Sequence, residues 1–203
     1  MEKEEKWMVE NYKVVQHIAI GDREVIFGED ETSDMPYMCA LVETAGELQL
    51  YHDGKAGDDY VEIISLFADH IKEQCRKVLE EQQKVTVKRE KITADMCEPT
   101  GDKVLVGKVM VVSPNVLRPE YQSCEHQLFY VESGNGTVPN SLGRGCFGKE
   151  LYSGEKVRWN RTDFLGEIKE EYLPEWAKER VAEIQRTTEE KSAWRNEKAR
   201  EER

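Results

Sequence analysis

The hydrophobic period of this chain changes once, sharply, between residues 57 and 60. Before that point apolar residues alternate with polar ones, and after it they recur every three or four positions. In "YKVVQHIAI", Tyr12, Val14, Ile18 and Ile20 fall on one face of a strand, with Gln16 out of pattern. Gly21-Asp22 then turns the chain into "REVIFG", a hairpin signature. "PYMCALVET" and "GELQLYHD" form a second pair around Ala45-Gly46, and "GEDETSDMP" is the polar loop between the pairs. After "GKAGDD", read as a helix-entry loop, Tyr60, Ile64, Phe67, Ile71, Cys75 and Val78 make the stripe of an amphipathic helix. Asp59 and Glu62 open it as a capping box, and Arg76, Lys77 and Lys84 suit its C-terminal dipole. Residues 1–83 thus predict a four-stranded antiparallel meander and one long helix. The helix lies on one face of the sheet and leaves the other to solvent or a partner.

Beyond residue 83 the periodic runs become short. "KVTVKREKI", "KVLVGKVMVVSP", "HQLFYVE", "CFGKELYSG" and "EKVRWNRTDFLGEI" read as strands separated by Gly and Pro. They predict a small β-rich, barrel-like unit over 84–173. Pro174 suits the first position of a C-terminal helix over 174–203. Trp176, Ala177, Val181 and Ile184 give that helix a short docking stripe. From Gln185 onward it is charged and fraying, with Trp194 its only large apolar group. The fold class is α+β.

Charge is divided as unevenly as period. Residues 1–83 hold 8 Lys/Arg against 20 Asp/Glu, whereas residues 84–203 hold 21 of each, so the first part carries the whole net charge of −12. An acidic surface repels nucleic acid and favours basic protein partners. Its densest positions are Glu29, Asp30, Glu31 and Asp34, then Asp58, Asp59 and Glu62, the candidate partner-binding residues. "MEKEEKWMVENYK" has no apolar core of a secretory signal, and no apolar run approaches the roughly 18 residues that span a bilayer. The expectation is a cytoplasmic chain without membrane association, its five scattered cysteines reduced.

Several motifs invite chemistry. Gly143-Arg-Gly-Cys-Phe-Gly148-Lys149 spells the start of a phosphate-binding loop, but Glu150 stands where a Ser or Thr would hold magnesium, and "LYSGEKVRW" continues as a strand. The glycines of Ser133–Glu150 read instead as positive-φ positions of a long loop. Cys97, Cys124, His126 and Cys146 offer zinc ligands or a Cys–His pair, yet only Cys124 and His126 are close in sequence. "HDGKAGDD" lacks the order of a calcium loop. Arg118, Arg144, Arg158 and Arg161, interleaved with Tyr130 and Trp159, are candidate phosphate or nucleic-acid contacts. The other reading is that these rings fill a core and the arginines pair with nearby carboxylates. No catalytic set, metal site or cofactor is expected.

One longer pattern runs through residues 104–177. Pro114, Leu117, Pro119, Glu120 and Tyr121 lead to Gln127-Leu128, then to Pro139-Asn140 and Gly143-Arg144-Gly145. Tyr152, Gly154, Arg158, Arg161, Asp163, Leu165 and Gly166 complete it. This resembles a family of uncharacterised proteins carried on conjugative elements, plasmids and phages of gut Firmicutes. The acidic ββββα unit looks, more loosely, like a module common on such elements. The resemblance implies a mobile-element accessory protein, a class that includes inhibitors of host defence, and transfers no catalytic residue. The expected function is non-enzymatic binding of a partner with a basic surface, such as a CRISPR or restriction nuclease. The alternative is a nucleic-acid-binding or regulatory protein using the arginine and aromatic loops.

Overall fold

Alternation builds the first unit as one antiparallel meander. In the computed structural model, which describes residues 7–45 and 48–201, its strands are β1 (Met8–Val9), β2 (Tyr12–Ile20), β3 (Arg23–Glu29), β4 (Tyr37–Ala45) and β5 (Leu48–Gly57), neighbours in sequence order. The short β1 is additional to the four expected strands. Gly46 and Glu47, where the second turn was expected, lie outside the described residues, as do 1–6 and 202–203. The sheet is followed by α1 (Tyr60–Lys84). The chain divides into two compact units, Met1–Thr86 and Val87–Arg203.

A bulge explains why Gln16 broke the alternation. Val14 pairs with Gly28 but Gln16 pairs with Phe27, so Val15 is one residue too many in β2. Tyr12 and Val14 therefore face Ile26, Met38 and Val42, while Ile18 and Ile20 turn to the opposite side. The expected single face of β2 is in fact two. The helix side holds Val25, Phe27, Cys39 and Leu41 against Ile63 and Phe67 of α1. The other side is not bare, since Trp7, Val9, Tyr12 and Val14 pack against its buried residues.

The stripe of α1 is rotated by about one position from the reading above. Ile63, Phe67, Gln74 and Val78 are its buried residues, and Cys75 is exposed. Gly57 permits the rotation, because a Cβ there would lie 3.1 Å from Ile63 Cδ1. Asp59 caps α1 by accepting from the Val61 and Glu62 amides at 2.8 and 3.1 Å. The Glu62 carboxylate takes Lys55 Nζ of β5, so the capping box is only half formed. "HDGKA" is strand rather than loop, with a second bulge at Asp53 (φ 49°) between the Cys39–Lys55 and Leu41–His52 pairs.

The second unit is a six-stranded antiparallel sheet. Its strands are β6 (Cys97–Glu98), β7 (Val109–Val112), β8 (Leu128–Ser133), β9 (Gly145–Glu150), β10 (Lys156–Asn160) and β11 (Phe164–Ile168). They lie in the order β10-β9-β8-β7-β11-β6. Period two gives it two apolar faces. Val109, Val111, Leu128 and Tyr130 meet the first turns of α3 (Glu175–Glu201) through Trp176, Ala177, Val181 and Ile184. Met110, Val112, Phe129 and Val131 meet Leu105, Cys146 and Phe164 on the other face.

The expected strand "KVTVKREKI" is a strap without ladder partners. Gln127, fully buried on the short helix α2 (Cys124–Gln127), takes over its backbone groups. The Gln127 Oε1 accepts from the Ile92 amide at 2.8 Å, and Nε2 donates to the Ile92 and Val112 carbonyls at 3.1 and 3.3 Å. The Cys124 amide donates to the Glu90 carbonyl at 2.8 Å. The strand expected at "KVLVGKV" is likewise shortened. Gly107 (φ 79°) kinks the chain, and the Leu105 amide donates to Thr137 rather than to a neighbouring strand.

Candidate functional site

Strand register gathers the acidic residues of the first unit. Glu29 pairs with Tyr37, and Tyr37 pairs with Gly57. The loop after Glu29 and the turn after Gly57 therefore leave the sheet at the same end. Seven carboxylates expected from two separate segments thus share one rim.

Three of them are committed locally. Asp30 accepts from Thr32 Oγ1 at 2.6 Å and from its amide at 2.9 Å, which holds the carboxyl below its usual range. Asp59 caps α1 and Glu62 pairs with Lys55. Glu31, Asp34 and Asp58 are exposed, Glu29 is half-buried, and none of these four side chains has a hydrogen bond or ion pair among the described residues.

Exposed apolar residues flank the acidic ones along the chain, and of these only Tyr60 was named above, as part of the stripe of α1. Tyr60 is 46% exposed and Val61 70%, while Met35 is also exposed. The Tyr60 ring stands edge-on to Tyr37 and Phe27, at 5.2 and 5.8 Å between centroids. The Tyr12 hydroxyl donates to the Met35 carbonyl at 2.8 Å. The two ring contacts place Tyr60 at this end of the sheet while leaving it partly exposed. Unpaired carboxylates beside a partly exposed aromatic suit a partner surface rich in Lys and Arg.

The arginine and aromatic set of the second unit does not converge. Tyr130 is buried on the α3 side of the sheet, and Trp159 packs on the opposite face beside Cys146. The two rings cannot form one stacking platform. Arg161 spends its guanidinium on three carbonyls, those of Gly136, Gly101 and Lys103, at 2.8–3.0 Å. It acts as a staple between loops. Arg118 is half-buried at the start of the turn Pro119–Tyr121. Arg144 and Arg158 are exposed. Arg158 has an exposed ring beside it, Phe147, directly across the β9–β10 ladder.

The glycines of 133–150 serve close approach more than unusual dihedrals. Of the five, only Gly134 has a positive φ. A Cβ on Gly136 would lie 2.1 Å from the Arg144 carbonyl oxygen, and one on Gly148 would lie 2.0 Å from that of Tyr130. Most of the segment resembling a phosphate loop is strand β9, and the next element is strand β10 rather than a helix. Its Lys149 faces Glu132 at 3.7 Å, and burial pushes the Glu150 carboxyl up.

The candidate zinc ligands are divided by the same sheet, with Cys97 and Cys124 on the α3 face and Cys146 on the other. Burial pushes the Cys39 thiol up to about 12 and Cys97 to about 11, and raises Cys124 and Cys146 as well. Protonated, buried thiols are poor nucleophiles and poor metal ligands.

A cleft of about 670 Å³ is lined by Lys103, Lys108 and Lys169 with Glu98, Glu167 and Glu170. Its charges are largely satisfied from within. Lys103 pairs with Glu98 at 2.5 Å, Lys108 with Glu167 at 2.8 Å, and Lys169 donates to the Asp95 carbonyl. No helix among the described residues is long and apolar enough to cross a membrane. The chain matches no protein-family model, and no match was found among curated proteins or solved structures.

Proposed function

We propose that this is a cytoplasmic, non-enzymatic binding protein whose acidic first unit engages a basic surface on a partner protein. One observation carries the reading: two acidic segments meet at one end of the sheet around Tyr60, with Glu29, Glu31, Asp34 and Asp58 left without a counter-charge among the described residues. Surfaces of this sign and shape are complementary to enzymes that handle nucleic acid, whose own clefts are lined by Lys and Arg. The resemblance of residues 104–177 to proteins of mobile elements supports a more specific form. The chain is an accessory protein of such an element, and it inhibits a host defence nuclease of the CRISPR or restriction kind by occupying the surface meant for nucleic acid.

The test is capture of purified defence nucleases on the tagged full chain, with cleavage assayed in parallel. Capture and inhibition are expected at low salt and should weaken at least about tenfold at about 0.5 M, where screening shrinks to a few ångströms. The variant Glu31→Gln/Asp34→Asn/Asp58→Asn should bind as weakly at low salt as the native chain does at high salt. No capture at low salt, or capture indifferent to the three substitutions, would remove the reading.

The alternative of direct nucleic-acid binding rests on Arg144, Arg158 and Phe147, because Tyr130 and Arg161 are committed elsewhere. A gel shift at low salt that disappears in Arg158→Ala would favour it.

A further inference from the structure

The acidic rim continues into an open sheet edge. β5 is the last strand of its sheet, so its outer row of amides and carbonyls has no strand beside it among the described residues. Such edges are normally blunted by charge, proline or a bulge. From Leu48 to His52 the edge has none of these. Leu48 is 69% exposed, and Leu50 and Tyr51 are exposed as well. The protecting devices come later, with the bulge at Asp53 and then Lys55.

β5 therefore has two unlike halves. Its first half is uncharged and free of bulges, with Leu50 in register with Glu43 on the α1 side and Tyr51 in register with Val42 on the other. Its second half runs past the exposed Asp53 to Gly57, where Asp58 and the acidic rim begin.

We infer that the partner is bound by strand addition, as an extended segment paired antiparallel to β5. This deepens the proposed function and rests on it. Antiparallel pairing continues the pattern of every other pair in the sheet. It also fixes the polarity of the guest. Its N-terminal part lies along Asp53 and Asp58 and carries Lys or Arg, and its C-terminal part is uncharged and alternates along Leu48–His52. Main-chain bonds supply affinity, while the carboxylates select for basic residues at one end.

Charge chooses this occupant over a second copy of the chain. Neither edge open among the described residues, Leu48–His52 or Val15–Ile20, is preceded by the basic run that an antiparallel guest would lay along Asp53 and Asp58.

The probe is a capped synthetic peptide with a basic N-terminal half and an alternating Val/Thr C-terminal half. Two further versions are methylated on the backbone nitrogen at alternate residues, one on each edge of the peptide. Methylation removes ladder donors without changing the charge of the peptide or any residue of the protein. Binding to the full chain is followed by fluorescence anisotropy at low and high salt, and amide hydrogen exchange locates the contact.

The unmodified peptide should bind in a salt-dependent way and slow exchange at 48–52. One methylated version should bind at least about tenfold more weakly, and the other should bind nearly as well as the unmodified peptide. Equal binding of all three, or protection elsewhere, overturns strand addition while leaving the acidic rim as a binding surface. Absence of salt-dependent binding by any version counts against the rim as well. A dimer in sedimentation whose contact protects 48–52 replaces the peptide guest with a second copy.

Discussion

The two units treat charge in opposite ways. In the second unit several basic groups are spent internally. Arg89 reaches the fully buried Glu125 at 2.5 Å, Arg161 holds three loop carbonyls, and Lys103 and Lys108 meet Glu98 and Glu167. In the first unit the acids outnumber any local partners, and those at the sheet end face outward. The difference teaches where to look for function. A guanidinium brings five donors, and a loop-rich fold has many buried carbonyls to satisfy. Carboxylates only accept, and once the helix cap, the turn amides and the unit's few cations are served, the side chains of Glu29, Glu31, Asp34 and Asp58 have no partner among the described residues.

The comparison breaks first if charge removal in the second unit is cheap. Arg89→Ala strands the Glu125 carboxylate in the interior with the Ser123 hydroxyl and should cost about 3 kcal/mol in denaturant unfolding. The pH dependence sharpens this. Burial opposes ionisation of Glu125, but the Ser123 and Arg89 hydrogen bonds outweigh it and hold the carboxyl below its ordinary value. That contribution is present above the unfolded value, about pH 4.3, and is lost as pH falls through the lower folded one. Arg89→Ala should move the onset of acid unfolding to higher pH.

Arg161→Ala comes next, at about 2 kcal/mol for the loss of charged hydrogen bonds to three carbonyls. A gel-shift effect without a loss in thermal stability would return Arg161 to the nucleic-acid reading. Asp59→Ala removes one cap from α1 and should cost about 1 kcal/mol. The smallest effect is expected for Glu31→Gln/Asp34→Asn/Asp58→Asn, within about 0.5 kcal/mol in stability despite its effect on capture. A large stability loss there would mean that the rim is structural and the contrast between the units false.

Much of the first unit was legible because two periods report directly on two kinds of packing. The hairpins and α1 follow from them. What was hidden depended on a residue that breaks count or competes for the backbone. Val15 shifts β2 by one position and splits its apolar face, which appears in sequence only as the misplaced Gln16. Gln127 withdraws the strap from the ladder, and no local pattern announces that a buried amide will do so. The glycines of 133–150 look like turn residues, whereas Gly136 and Gly148 mostly make room for a crossing backbone.

The candidate site shows the same division. Its carboxylates were visible as composition, but their meeting required the Glu29–Tyr37–Gly57 register, which sequence separation conceals. Tyr60 was assigned to the helix core because it fits the stripe of α1, although its place in the first turn leaves it half outside. The arginine and aromatic set misled because a donor aimed at carbonyls and one aimed at phosphates are the same residue type.

The burial of four thiols has a practical consequence. Cys39, Cys97, Cys124 and Cys146 are enclosed and held protonated, whereas Cys75 is exposed on α1. A maleimide dye at neutral pH should therefore attach at one place in the native chain. The molecule carries its own single labelling handle, on the helix that backs the acidic sheet, so a fluorescent reporter of partner docking needs no engineered residue.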